Sequence, residues 1–279
     1  AVSAAERIED LEKRARVLAG VADALARAGD TEGARRVAEN VVKVSTAERI
    51  KGLWGLMLAP ALAEAAGTLA WAGLTDEALA VAERIEEPWG WARARVLAGV
   101  AGALARAGDT EGARRVAEEA VSTAERIEDS WRRAEALAGA ACALARAGAI
   151  DEAREIVTTI NEPGSRSRAQ SAVIEALVRK GSSNEAVDML RAALAEVEGF
   201  VSRQDAADCC ATLAAACVDA ADLLADSADA EPAERDRWLG LARSALARSW
   251  LYGASVWDRF DVLLRVAPDL ATRLVEERL

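Results

Sequence analysis

One internal duplication constrains this chain more than any other feature. Residues 16–40 (RVLAGVADALARAGDTEGARRVAEN) recur at residues 95–119 with 23 of 25 positions identical. The differing pairs are Asp23/Gly102 and Asn40/Glu119. Repetition at a period of about 40 residues is typical of repeat architectures, in which a unit buries its apolar face only by stacking on its neighbours.

A glycine marks the middle of each repeat. Looser copies surround residues 62–80, 137–153 and 170–186, and the aligned glycines are Gly29, Gly73, Gly108, Gly148 and, more weakly, Gly181. Before the glycine, apolar residues recur at helical spacing, as in Leu18, Val21 and Leu25. The glycine fits a left-handed helix end, and an acidic first turn often follows it. Each unit is therefore predicted to be a helical hairpin, and the chain to be all-α.

An alanine stands five residues after every aligned glycine. These alanines are Ala34, Ala78, Ala113, Ala153 and Ala186. A small side chain at that point lets the second helix of a hairpin cross the first closely, so we expect these alanines to be buried.

Composition excludes several functions. The chain has no histidine, which removes every mechanism that needs an imidazole base or a histidine-bearing zinc site. The net charge of −11 argues against generic nucleic-acid binding, and residues 186–236 carry most of that charge. The four cysteines have no paired spacing, which favours a reducing compartment and a cytoplasmic location. The weakly charged stretch 52–74 lies in a repeat and contains Pro60, so it is interpreted as a buried helix rather than a membrane span.

No catalytic constellation is found. The sequence lacks G-x-S-x-G, G-x-G-x-x-G, H-E-x-x-H, a phosphate-binding loop and the D-D-x-x-D motif of helical isoprenoid enzymes. Asp219, Asp222 and Asp226 could in principle hold a divalent cation, but a solvated helix face explains them more simply. Clustered cysteines such as Cys210 and Cys217 fit small buried residues better than a zinc site. We predict no enzyme activity, no cofactor and no metal.

The pattern Leu-x2-Val-Ala-x2-Leu-x3-Gly-Asp-x3-Ala resembles the tetratricopeptide-repeat family and its longer, alanine-rich bacterial relatives. The resemblance implies a right-handed α-solenoid of stacked antiparallel helical hairpins and a protein-binding, non-enzymatic role. Residues 1–200 correspond to the repeats, with a truncated first hairpin, and residues 201–279 to degenerate repeats and a C-terminal cap continuous with the array. The sequence departs from the family at Leu18 and Leu97, where a tryptophan is usual.

In the family that the chain resembles, the first helix of each hairpin lines a concave groove. Superposing the units places one row of residues two positions before the glycine and another thirteen positions before it. The candidate peptide-binding residues in these rows are Arg16, Arg27, Trp71, Arg95, Arg106, Arg146, Arg168 and Arg179. Guanidinium groups at one repeat's spacing suit carboxylates or phosphates. Arginines near helix ends also stabilise helices by capping carbonyls, and duplication would copy them without selection for binding.

The sequence thus predicts a non-enzymatic scaffold that binds an acidic peptide or protein segment in an arginine-lined groove. The alternative is a sensor or regulatory repeat domain excised from a multidomain bacterial signalling ATPase or protease. Excision is expected because residues 1–10 match 120–129 at nine of ten positions and so open inside a hairpin. The composition and the closing residues VAPDLATRLVEERL resemble the C-terminal repeat regions of bacterial signal-transduction ATPases. Expected partners are protein or peptide ligands, without nucleic acid or membrane. Self-association through the acidic segment 186–236 is a further possibility.

Overall fold

The structure is a computed structural model, and it describes residues 2–46, 53–83, 85, 90–227 and 231–277. Within these ranges the side chains of residues 11, 12, 27, 44–46 and 53–60 are outside the description. No residue of the described ranges lies in a strand, so the prediction of an all-α chain is confirmed for them. The chain divides into two compact units, residues 1–156 (unit 1) and residues 157–279 (unit 2).

Unit 1 is built from helical hairpins. Its helices are α1 (Val2–Ala5), α2 (Leu11–Arg27), α3 (Thr31–Thr46), α4 (Leu53–Trp71), α5 (Thr75–Glu83), α6 (Gly90–Ala107), α7 (Thr110–Glu125), α8 (Ser130–Arg146) and the start of α9 (Ile150–Thr159). The first helices α2, α4, α6 and α8 pack side by side in sequence order. Helix α3 packs on both α2 and α4, α5 on α4 and α6, and α7 on α6 and α8. The first helices therefore form one layer and the second helices cover one of its faces.

The turn inside each hairpin is the one that the glycines predict. All five aligned glycines have φ between +82° and +88°, a region that other L-residues rarely adopt. At Gly29 the N–H of Asp30 donates to the carbonyl of Leu25 at 3.0 Å and the N–H of Gly29 donates to that of Ala26 at 3.0 Å, which is a Schellman ending. Asp30 Oδ1 then accepts from the N–H of Gly33 at 2.8 Å and caps α3. One short segment thus ends one helix and begins the next.

Small residues set the distance between helices. The five alanines that follow the glycines are all fully buried, as expected. First helices also approach one another closely, since a Cβ added at Gly99 in α6 would lie 3.1 Å from the carbonyl oxygen of Ala63 in α4. A Cβ added at Gly139 in α8 would lie 3.3 Å from the Cβ of Ala98 in α6. The first-helix layer therefore presents a surface of backbone and methyl groups.

Arginines close the junctions between hairpins. Arg133 Nη1 donates to the carbonyl of Ile127 at 3.0 Å, six residues upstream, where α7 has ended. Arg166 makes an equivalent but longer contact with Ile160 at 3.5 Å and pairs with Glu196 at 3.3 Å. Arg133 and Arg166 each stand fifteen residues before an aligned glycine, so an arginine at that position has a structural role in both hairpins.

Unit 2 contains longer helices and a less regular end. Its helices are α10 (Pro163–Arg179), α11 (Ser183–Val197), α12 (Arg203–Ala225), α13 (Pro232–Tyr252), α14 (Phe260–Val266) and α15 (Pro268–Glu276). Helix α10 packs on α11 and α12, and α12 packs along α13. Trp238 of α13 is fully buried, and its indole N–H donates to the hydroxyl of Ser183 at 3.1 Å. In the part of the chain that the structure describes, no helix has both the length and the apolar character needed to cross a bilayer.

Candidate functional site

A groove of about 620 Å³ lies on the first-helix layer of unit 1. All of its lining residues belong to α2, α4, α6 and α8, and none belongs to a second helix. Its floor consists of small residues: Gly20, Ala26, Ala63, Gly67, Ala98, Gly99 and Gly102. Its polar and aromatic lining consists of Asp23, Glu64, Thr68, Trp71, Arg95, Arg106 and Arg146. The groove therefore lies over small side chains and helix backbone, and larger polar and aromatic side chains complete its lining.

The basic side chains of the groove come from α6 and α8. Arg95 pairs with Glu135 of α8 at 2.9 Å, so its charge is already partly neutralised. Arg146, at the end of α8, is exposed and has no hydrogen bond or ion pair among the described residues. Its Nη1 lies 3.7 Å from the position that a Cβ on Gly102 would occupy. Arg146 thus extends from α8 over the bare backbone of α6, where its five donors can meet a ligand.

The acidic side chains of the groove come from α2 and α4. Asp23 lies on α2, at the position where the duplicate has Gly102. Partial burial raises the pKa of the Glu64 carboxyl, although the nearby guanidinium groups of Arg16 and Arg95 act in the opposite direction. Among the lining residues the acids lie on α2 and α4 and the arginines on α6 and α8, which gives the lining a polarity that runs from α2 towards α8. Outside the lining, Arg16 of α2 and Glu135 of α8 each lie near a charge of the opposite sign.

Trp71 supplies the aromatic surface. It is the last residue of α4 and is half-buried at the groove border. The hydroxyl of Thr68, one turn earlier, donates to the carbonyl of Glu64 at 2.9 Å, which satisfies a buried hydroxyl without a ligand. The indole of Trp71 can pack on an apolar side chain while the neighbouring arginines bind polar groups.

Four of the eight candidate residues line the groove: Trp71, Arg95, Arg106 and Arg146. Arg16 is exposed on α2 and interacts with Glu64, but it is not a lining residue. The side chain of Arg27 lies outside the described residues. Arg168 and Arg179 belong to α10 of unit 2, where Arg179 pairs with Glu175 of the same helix at 3.1 Å. The predicted row of arginines is therefore divided between two units, and several members already have acidic neighbours.

Two acidic lining residues, Asp23 and Glu64, are not among the residues predicted for the site from the sequence. One signal was present, because Asp23 is one of only two differences between the duplicated segments. Asp23 faces the groove because α2 stacks against α4. The repeat pattern does not specify that stacking.

The cysteines of unit 2 are unsuited to nucleophilic chemistry. Burial raises the pKa of Cys210 to about 11 and that of Cys217 to about 12, so both remain thiols at neutral pH. Asp222, from the acidic series on α12, pairs with Arg265 of α14. Among the described residues there is no group of three or more potential metal ligands.

The geometry defines the chain as a helical-hairpin repeat protein with a groove on the first-helix layer of unit 1. No protein-family model matches the sequence, and no curated protein matches it. A solved structure described as the nearly identical TPR-like repeats of a kinesin light chain from Podosopora anserina is similar at 20% identity, with a TM-score of 0.38. The match covers 70% of this chain and 100% of that one. The class assignment rests on the hairpin geometry above.

Proposed function

We propose that this chain is a non-enzymatic scaffold that binds an acidic peptide or protein segment in the groove of unit 1. The observation that carries the proposal is the groove itself, a floor of glycine and alanine bordered by Trp71, Arg95, Arg106 and Arg146. An extended segment needs such a floor because its own backbone and side chains must approach the helices closely.

The preference for acidic groups follows from Arg146. Its guanidinium is exposed and lies over Gly102, so a carboxylate can reach it without displacing an existing ion pair. A hydrogen bond between guanidinium and carboxylate is charge-assisted and can be bidentate. Arg106, on α6, borders the same groove and adds positive potential there.

The polarity of the groove orients the ligand. Asp23 and Glu64 would repel a carboxylate placed over α2 and α4, whereas amide or basic groups are acceptable there. We therefore place the acidic part of the ligand over α6 and α8, with an apolar side chain against Trp71 between the two regions. A uniformly acidic segment fits this groove less well than one with its acids grouped at one end.

We place this function in the cytoplasm because all four cysteines are free thiols and three of them are buried. Unpaired cysteines are common where cellular reductants keep thiols reduced.

Fluorescence anisotropy with two labelled peptides tests the proposal. Both contain leucine and glycine, and one carries a terminal group of glutamates that the other replaces with glutamines. Wild type is expected to bind the glutamate peptide more tightly. Arg146→Glu and Arg106→Glu should each weaken that binding about tenfold or more, which corresponds to the loss of about one charge-assisted hydrogen bond.

Arg115→Glu is the matched control. Arg115 is exposed on α7, a second helix, and does not line the groove, yet its substitution changes the net charge by the same amount. Equal weakening by all three substitutions would mean that only net charge matters. Equal affinity of wild type for both peptides would remove acidic selectivity from the proposal.

A further inference from the structure

Trp91 and Trp131 occupy the same position in consecutive repeats, seventeen residues before the aligned glycine. Trp91, the second residue of α6, is 7% exposed, and the guanidinium of Arg132 from α8 lies over its ring, 5.5 Å from the centroid. Trp131, the second residue of α8, is 59% exposed. Among the described residues no cationic side chain lies over its ring. The same aromatic position is therefore covered in one hairpin and open in the next.

The sequence register of the repeats explains the difference. Arg132, which lies over Trp91, stands sixteen residues before Gly148. Sixteen residues before Gly181 the following repeat has Ser165, a short and neutral residue. The arginine that one repeat supplies to the tryptophan of the repeat before it is thus absent from the next. Trp131 lies in the middle of the chain, with hairpins described on both sides of it.

We propose that Trp131 is a docking site for an arginine side chain in a basic segment of a partner protein. The covered copy supplies the geometry, a guanidinium over the face of the indole. Tryptophan attracts cations more strongly than the other aromatic residues do, and a planar guanidinium can also stack on its ring. Trp131 does not line the groove of unit 1, so this inference does not depend on the ligand of that groove.

The charges beside Trp131 suit a basic segment. The six positions before it contain four exposed charged residues, of which three are acidic: Glu125, Arg126, Glu128 and Asp129. Asp129 caps α8 by accepting from the N–H of Arg132 at 2.8 Å, so its carboxylate offsets the positive end of the helix dipole next to Trp131. Among the described residues Glu128 has no hydrogen bond or ion pair, and its charge is available to a partner. Such complementarity of charge favours a basic partner over an acidic one.

The arginines that follow Trp131 in the chain are held elsewhere. The guanidinium of Arg132 lies over Trp91, and Arg133 Nη1 donates to the carbonyl of Ile127 at 3.0 Å. Neither guanidinium is available to Trp131, which leaves its ring to an arginine of the partner.

NMR of the nitrogen-labelled full chain, titrated with two short peptides, tests the docking site. One peptide contains glycine, serine and two arginines, and the other replaces each arginine with citrulline, which has nearly the same shape and no charge. The indole N–H signal of Trp131 is identified by its loss from Trp131→Phe. The arginine peptide is expected to shift this signal progressively, and the citrulline peptide to leave it in place.

Fluorescence anisotropy with the labelled arginine peptide measures the contribution of the ring. Trp131→Ala should weaken binding about two- to fivefold, the usual size of an exposed cation–π contact, and Trp131→Phe should weaken it less. Far-UV circular dichroism and thermal melting of Trp131→Ala should match wild type, because the side chain is exposed. Leu251→Ala is the matched control, since Leu251 is 75% exposed in unit 2, and it should bind as wild type does.

A second pair of variants tests the acidic surroundings. Glu128→Gln should reduce the affinity that the Trp131 signal reports. Glu111→Gln removes the same charge at the other end of α7 and should leave that affinity unchanged.

Four outcomes would overturn the proposal. The first is a Trp131 signal that the arginine peptide does not move, or that the citrulline peptide moves equally. The second is equal affinity of wild type and Trp131→Ala, or an equal loss in Leu251→Ala. The third is an equal effect of Glu128→Gln and Glu111→Gln. The fourth is self-association of wild type, seen by sedimentation velocity, that Trp131→Ala abolishes, because a second copy of the chain then covers the ring.

Discussion

Gly20 and Gly99 occupy the same position in two nearly identical segments, yet their surroundings differ. Gly99 is held against the α4 backbone at Ala63, while Gly20 has open space where a side chain would go. Glycine in a helix interior costs about 1 kcal/mol relative to alanine because the unfolded chain has more freedom. At Gly99 the close approach of two helices offsets that cost, and at Gly20 nothing within the single chain does.

Alanine at these two positions should therefore have opposite effects on stability. Gly20→Ala is expected to raise the free energy of unfolding by up to about 1 kcal/mol, the gain in helix propensity. Gly99→Ala should lower it by about 1 kcal/mol or more, because overpacking against a backbone carbonyl exceeds the same gain. Urea unfolding followed by circular dichroism, at one protein concentration for wild type and both variants, measures both. Changes of the same sign would show that the α4–α6 approach relaxes without cost.

The same comparison shows what the sequence could predict at this scale. The turn glycines and the buried alanines were predictable because each depends on its own hairpin. The difference in surroundings between Gly20 and Gly99 could not be predicted, because the two segments are nearly identical and differ in which helix lies beside them.

At the scale of helices, the junctions between hairpins carry a repeated arrangement. An acid after the preceding helix caps the next one: Asp129 accepts from the N–H of Arg132 at 2.8 Å, and Glu162 accepts from Gly164 at 2.9 Å and Ser165 at 2.5 Å. Burial alone would raise the pKa of Glu162, but the hydrogen bonds from Ser165 and Gly164, with nearby Arg168, outweigh it and lower the pKa. The ionised cap is thus favoured in the folded chain.

The stability of α10 should depend on pH through this cap. Since the pKa of Glu162 is lower in the folded chain than its ordinary value of 4.5, the contribution is complete above pH 4.5 and is lost as pH falls through the folded value. Glu162→Gln should cost about 1 kcal/mol at neutral pH, the usual size of a cap. The difference from wild type should shrink below pH 4.5.

Urea midpoints of both proteins between neutral and acidic pH measure this effect. Glu128→Gln, at an exposed residue one position before the cap of α8, controls for removal of one carboxylate. A gap between wild type and Glu162→Gln that stays constant into acid would contradict an ionised cap.

The helices of unit 1 could be predicted from the sequence because their apolar residues recur at a clear helical period. The ion-pair partners of their charged residues could not. The hairpins of unit 1 follow directly from the pattern. The pairing of Arg95 with Glu135 joins residues 40 positions apart, and it depends on how α6 and α8 stack. An arginine row visible in sequence therefore says little about how many of its charges remain available.

At the scale of the whole molecule, the net charge of −11 and the arginines of the groove act in opposite directions on an acidic ligand. The long-range field repels such a ligand, while Arg146 attracts it over a few ångströms. Salt screens both, and a Debye length of about 8 Å at physiological ionic strength leaves the short contact as the stronger influence. Selectivity must therefore come from the local polarity of the groove.

One contribution to that polarity is a difference between the duplicated segments, Asp23 against Gly102. Gly102→Asp restores the residue of the first copy and places a carboxylate beside the Arg146 guanidinium. The nearest atom to the new Cβ would be Arg146 Nη1 at 3.7 Å, an ordinary contact, so the fold should accept the change. Binding of the glutamate peptide should fall about tenfold, the loss of about one charge-assisted hydrogen bond, without removal of any arginine.

Gly102→Asn is the matched control. Asparagine has nearly the same shape as aspartate and no charge, so this variant should bind the glutamate peptide about as tightly as wild type does. If Asn weakens binding as much as Asp does, the bare backbone at Gly102 is what the ligand needs, and the paired charge is not the cause.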